Sequence, residues 1–90
     1  MENSQEFLTA AEYIKKLSTT PTNDETGNLY GLYKQATIGD INIEKPNIIN
    51  YMANQKWSYW NQYKNINKYD AEIKYINLVN ELIQKYGINN

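Results

Sequence analysis

The sequence predicts an all-α protein, a single domain built from four helices. Apolar residues recur at helical spacing in four separate stretches. Three of those stretches open with residues that cap helix N-termini. A chain of 90 residues buries one modest core and leaves no room for a second. The predicted helices span roughly residues 4–18, 23–38, 48–64 and 68–86, within one domain covering 1–90.

The first helix has Asn3 or Ser4 as its cap, Glu6 where a capping box wants an acid, and Phe7, Ala10, Ala11, Ile14 and Leu17 as its apolar stripe. Thr19, Thr20 and Pro21 should break it, since proline restricts its predecessor and has no amide to donate. Lys15 lies beside the stripe and Lys16 points to solvent. On the residues alone, Lys15 is a rim residue whose stem covers apolar surface while its ammonium stays wet.

Thr22-Asn23-Asp24-Glu25 forms a capping box for the second helix, with acids that suit the helix dipole. At about 100° per residue, Leu29, Leu32 and Ala36 fall on one face, and Tyr30, Lys34 and Thr37 on another. Tyr30, Tyr33 and Lys34 stand at i, i+3 and i+4, so two rings and one cation gather over one patch. That patch reads either as half of a site for an anionic, ring-containing ligand or as the wet side of an amphipathic helix. Gly27 and Gly31 lie inside the helix, where each costs up to ~1 kcal/mol against alanine. Either the backbone is approached closely at these points or the helix tolerates a weak start. Gly39 should end it as a left-handed cap, and Asp40–Asn47, without helical period, should form the longest loop.

The third helix carries a wide apolar face of Ile49, Met52, Ala53, Trp57, Trp60 and Tyr63. Lys56 falls in the middle of that face, where an unpaired ammonium would be costly. Its stem either snorkels to the edge or brings the charge to an anion at the mouth of a cavity. The two tryptophans read as core. Asn67 and Asp70 cap the fourth helix, whose stripe is Ala71, Tyr75, Leu78, Val79, Leu82 and Tyr86, with Gly87 as its stop. Tyr75 sits mid-stripe, so its ring fills core while its hydroxyl needs a partner, in the protein or on a ligand.

Composition excludes much. The chain has no cysteine and no histidine, which removes disulfides, thiolate nucleophiles, the usual zinc sets, the Ser-His-Asp and Cys-His arrangements and the ordinary physiological-pH proton shuttle. Net charge is -1 and all 9 cations are lysine, so neither a basic excess nor arginine forks point to nucleic acid. No apolar run approaches the ~20 residues of a membrane span, and neither an N-terminal leader nor a lipidation box is visible. The expectation is a cytoplasmic monomer without stable membrane insertion, cofactor or metal.

Several runs together resemble the acyl-CoA-binding protein family. They are Tyr30-Gly31-Leu32-Tyr33-Lys34-Gln35-Ala36-Thr37, then Gly39-Asp40, Lys45-Pro46, Lys56-Trp57 with Trp60, Tyr75-Ile76 and Tyr86-Gly87. Their order and spacing carry the resemblance from Phe7 to Ile88, nearly the whole chain. It implies an up-down-down-up four-helix bundle that binds fatty acyl-CoA esters in a bowl open to solvent. It also implies that Tyr30, Lys34 and Lys56 hold the 3'-phosphate and adenine end of coenzyme A, with Tyr33 and Tyr75 around the nucleotide and Lys15 near the phosphates. Such a ligand brings phosphates for lysines, a purine for aromatic rings and a chain for an apolar groove.

Three positions depart from the family pattern. Thr26 and Gly27 stand where the family usually places bulky apolar residues, which shrinks the apolar surface for the acyl chain, and Asn54 stands where another lysine is common. The function implied is a non-enzymatic intracellular carrier that binds medium- to long-chain acyl-CoA esters, sequestering, buffering and transporting them. Two competing readings are a module that docks a partner helix in its groove and a thioester hydrolase using a carboxylate with a lysine.

Overall fold

The computed structural model describes residues 2–89. Its four α-helices are α1 (Gln5–Tyr13), α2 (Asn23–Thr37), α3 (Tyr51–Asn61) and α4 (Lys68–Tyr86). Among the described residues the only extended pairing is an isolated antiparallel bridge between Leu17 and Ile88.

Local chemistry explains where each helix begins. The Ser4 hydroxyl accepts from the Phe7 amide at 3.1 Å, so Ser4 is the cap of α1. Asn3 does other work: its side-chain amide donates to the Ala36 carbonyl and to Glu72, at 2.9 and 2.7 Å. At the start of α2, Thr22 Oγ1 accepts from the Glu25 amide and Glu25 accepts in return from the Thr22 amide, a complete capping box. Asn50 and Asn67 cap α3 and α4 through their side-chain oxygens. Gly39 and Gly87, at φ of 103° and 77°, sit just beyond α2 and α4 in the left-handed region that glycine reaches without strain.

Helix ends depart from the sequence pattern at three places. The α-helical part of α1 stops at Tyr13 and tightens into a 3₁₀ turn over Ile14–Lys16, because Leu17 and its neighbours turn to pair with the C-terminal segment. There the Ser18 amide donates to the Gly87 carbonyl and the Asn89 amide to the Lys16 carbonyl. Periodicity alone carries the helix to 18; the pairing ends it earlier. Ile48 and Ile49, counted toward the third helix, stand before it in a turn closed by Asn47, 88% and 87% exposed. At the far end, residues 62–65 form a turn in which Asn65 takes a φ of 77°.

Contacts along the helices fix their directions. Asn3 and Ser4 reach Glu72 near the start of α4, and Leu17 meets Ile88 at its end, so α1 and α4 run parallel. Glu25 near the start of α2 bonds Lys85 and Tyr86 at the end of α4, at 2.8 and 2.6 Å, so α2 is antiparallel to α4. Along α3, Lys56 and then Trp60 meet Tyr30 and then Lys34, both advancing together, so α2 and α3 are parallel. The result is an up-down-down-up four-helix bundle.

Its core is Phe7 and Ala10 from α1, Leu32 and Ala36 from α2, and Ala71, Tyr75 and Val79 from α4. Alanines at 36 and 71, both fully buried, keep the α2–α4 seam narrow. By contrast α3 packs chiefly on α2. The expected broad buried face of α3 therefore reduces to Trp60, while Met52 stays 69% exposed. Trp57 is half-buried under the preceding loop, its ring N–H donating to the Ile43 carbonyl at 2.9 Å, and toward Met52 an open hollow remains beside α2.

Glycine allows the α2–α3 contact. A Cβ on Gly31 would collide with the Tyr59 backbone carbonyl group, and one on Gly27 with the Tyr59 ring. Close approach, not a weak helix start, is why glycine stands there. Polar pairs fasten the seam: the Tyr59 hydroxyl donates to Asp24 at 2.9 Å, and Gln62 and Tyr63 both donate to the Asn28 carbonyl oxygen.

The Glu25 link predicts a pH effect. Hydrogen bonds from Lys85 and the Tyr86 hydroxyl, followed by the Thr22 amide, hold the Glu25 carboxyl at about 2, against 4.5 ordinarily. Its stabilising contribution is complete above 4.5 and disappears as pH falls through about 2. Glu25→Gln is therefore expected to flatten the fall of stability across that acid window. Urea midpoints of both proteins, measured at stepped pH, check this; identical slopes would show the link to be inert.

Candidate functional site

α2 is the element that supplies both halves of the site. Tyr30, Tyr33 and Lys34 project from adjacent turns, as their spacing requires. The Lys34 ammonium lies 5.8 Å from the Tyr30 ring centre and 5.7 Å from the Trp60 ring. From α3, the Lys56 ammonium approaches the same Tyr30 ring at 5.6 Å. Two cations from different helices thus gather at one phenol ring, each within reach of its π-face.

Their charges are free. Among the described residues the ion pairs are Lys15–Glu12 at 3.6 Å and Lys85–Glu25 at 2.8 Å; neither Lys34 nor Lys56 has a carboxylate partner. Lys56 is exposed, so its stem carries the ammonium out of the apolar face to the mouth of the hollow. Of the two readings of this lysine, the snorkelling one is what its exposure shows.

The other half is aromatic. Tyr33 and Tyr75 flank Phe7, with ring centres 5.5 and 4.9 Å from it and 5.9 Å from each other. Tyr75 is 3% exposed, and burial, with Tyr33 adding to it, pushes its hydroxyl up to about 12. At neutral pH that hydroxyl is a dependable donor. Tyr33 is exposed and forms, with Tyr75, Ile14 and Lys15, part of an open depression of about 620 Å³. Lys15 lies on its rim, with its ammonium turned toward Glu12.

The six residues singled out from the sequence therefore fall in two groups: Tyr30, Lys34 and Lys56 around one ring, and Lys15, Tyr33 and Tyr75 around one depression. The turn from Tyr30 to Lys34 joins them. A second depression, of about 390 Å³, lies between α2 and α3, lined by Gly27 and Tyr30 on α2 and by Met52, Lys56 and Tyr59 on α3. Sequence reasoning missed Tyr59 as a lining residue and took Phe7 for core alone. The signal for the first was present, since Met52, Lys56 and Tyr59 share one face of α3 at i, i+4 and i+7. Among the described residues no group of three His, Cys, Asp or Glu side chains is placed to hold a metal ion.

Comparison with known proteins gives the family. The family model described as "Acyl CoA binding protein" matches residues 4–79. The chain belongs to the acyl-CoA-binding protein family. It is 46% identical over 81 residues to acyl-CoA-binding protein homolog 1 of Caenorhabditis elegans, covering 90% of this chain and 94% of that one. The crystal structure of acyl-CoA-binding protein 2 of Oryza sativa superposes with a TM-score of 0.87 at 37% identity, covering 90% of each chain. The solution structure of the yeast acyl-coenzyme A-binding protein gives 0.73 at 46% identity, covering 94% of this chain and 99% of that one. Among the described residues of this family member, no helix is long and apolar enough to cross a membrane.

Proposed function

We propose that the protein is a carrier that binds medium- to long-chain fatty acyl-CoA esters, sequestering, buffering and transporting them in the cytoplasm as a monomer, without catalysis. The observation that supports this best is the meeting of Lys34 and Lys56 at the Tyr30 ring, with no carboxylate to neutralise either, beside a hollow that α3 leaves open. In this reading the two ammoniums hold the phosphate at the nucleotide end and Tyr30 offers its face to the purine. Tyr33 and Tyr75 pack against the rest of the nucleotide, the Tyr75 hydroxyl donates to it, and Lys15 swings from Glu12 to the remaining phosphates. The acyl chain lies between α2 and α3, away from water, and the thioester is protected by being covered.

The division of labour follows from energies. Charged hydrogen bonds to phosphate contribute about 1.5–3 kcal/mol each, while each buried methylene adds about 0.8 kcal/mol. An ester should therefore bind more tightly than either of its halves. Calorimetric titration is expected to show palmitoyl-CoA binding more tightly than either free coenzyme A or palmitate. Equal affinity for palmitoyl-CoA and palmitate would overturn the reading, because the lysines would then contribute nothing. Thiol release during incubation with palmitoyl-CoA would overturn its non-enzymatic part.

A further inference from the structure

We propose that the turn before α3 is a docking tip for an anionic lipid bilayer, through which the protein makes a peripheral, reversible contact while it collects acyl-CoA. The membrane contact stands on the surface itself; the collecting rests on the acyl-CoA reading above. Within five residues, the turn and the start of α3 expose Ile48 at 88%, Ile49 at 87%, Tyr51 at 71% and Met52 at 69%. Single apolar residues scattered over a surface need no explanation, but four together do. Asparagines hold the tip in shape. The Ile49 amide donates to the Asn47 side-chain oxygen at 3.0 Å, and the Asn54 side-chain amide donates to the carbonyls of Pro46, Asn47 and Asn50 at 3.3, 2.6 and 3.2 Å. The isoleucines are thus displayed and not left loose.

A bilayer fits this tip better than a protein partner does. Isoleucines that protrude from a turn enter lipid without needing a complementary surface, and tyrosine suits the boundary between lipid and water. Charge points the same way: from Lys45 to Tyr69 the chain carries four of its 9 lysines and none of its 10 acids. Lys45 precedes the tip and Lys56 follows Met52 by one helical turn, where each strengthens binding to an anionic leaflet about fivefold. The acids beside this region are Glu44, and Asp24 on α2, whose oxygens already accept from Tyr59 and Asn28. Tyr51 and Met52 also line the depression between α2 and α3, so the contact sets that depression beside the membrane. The chain of an acyl-CoA ester partitions into lipid while its headgroup does not, and this placement lets the chain cross with little exposure to water.

The test sediments the protein with phosphatidylcholine vesicles prepared with and without phosphatidylglycerol. Wild type is expected to bind the anionic vesicles about tenfold more tightly than the neutral ones and to lose that preference as salt rises. Replacing both isoleucines, Ile48→Ser with Ile49→Ser, should weaken binding to anionic vesicles about tenfold or more. The same pair should slow uptake of palmitoyl-CoA from those vesicles and leave affinity for palmitoyl-CoA in solution unchanged, since neither residue lines either depression. Because the chain has no cysteine, Ile48→Cys accepts a single polarity-sensitive dye. Its emission should shift to the blue on anionic vesicles, while a dye at Asn80→Cys, exposed on α4, should not shift. Unchanged vesicle binding in the serine pair, or an unshifted dye at position 48, overturns the docking tip. Self-association of the wild type that the serine pair abolishes overturns the bilayer in favour of a second copy of the chain. Equal binding to neutral and anionic vesicles overturns the role of the lysines. A wild type that binds vesicles but no palmitoyl-CoA overturns the carrier reading and leaves the docking tip standing.

Discussion

Replacing Phe7 by alanine is expected to destabilise the protein by about 3–5 kcal/mol, the cost of emptying a fully buried aromatic site that cannot collapse. Phe7 has no exposed surface and touches both Tyr33 and Tyr75. A domain of this size is stable by roughly 5–13 kcal/mol in total, so the loss is a large share. Urea unfolding should show a lowered midpoint with an unchanged slope. Phe7→Leu, which leaves a smaller void, should recover part of the loss. The same variants separate packing from function: removing Phe7 frees the Tyr33 and Tyr75 rings, so ligand affinity should fall even where most of the protein remains folded. A shift below about 1 kcal/mol would show that α1 does not anchor the aromatic cluster.

Alanine at Lys34 or Lys56 is expected to weaken palmitoyl-CoA binding by about 1.5–3 kcal/mol, or roughly 10- to 150-fold, with little change in stability. Little stability is at stake because neither ammonium has an acidic partner among the described residues. The double variant should lose less than the sum, since both cations serve one anion and removing the first lets the second relax. Affinity should fall with added salt in the wild type and less so in either variant. Calorimetry on folded protein checks all three expectations. Wild-type affinity in either single variant would remove that lysine from the site.

The helices were legible because their apolar spacing and their caps agree, as at Thr22–Glu25. What the pattern could not supply was tertiary. Leu17 fits the α1 stripe, and only its pairing with Ile88 shows why the helix has already ended. Ile49 and Met52 look buried by period, yet Ile49 falls in the turn before α3, and α3, packed chiefly on α2, leaves Met52 in water. The same limit applied at the site. Tyr30, Tyr33 and Lys34 were visible as a cluster because helix geometry places i, i+3 and i+4 together, and Lys56 was visible as a charge in the wrong place. Tyr59 shares the Met52–Lys56 face of the third helix, but that spacing alone does not say which helix lies opposite it. Gly27 showed that something came close without showing what.

Because α3 packs chiefly on α2 while α2 and α4 each have two helical neighbours, its amide hydrogens should exchange before those of α2 and α4. A ligand gripped by Lys34 on one helix and Lys56 on the other would act as a stitch across that seam. Cargo would then complete the fold of its own container, and an empty protein would differ from a loaded one chiefly in how firmly one helix is held.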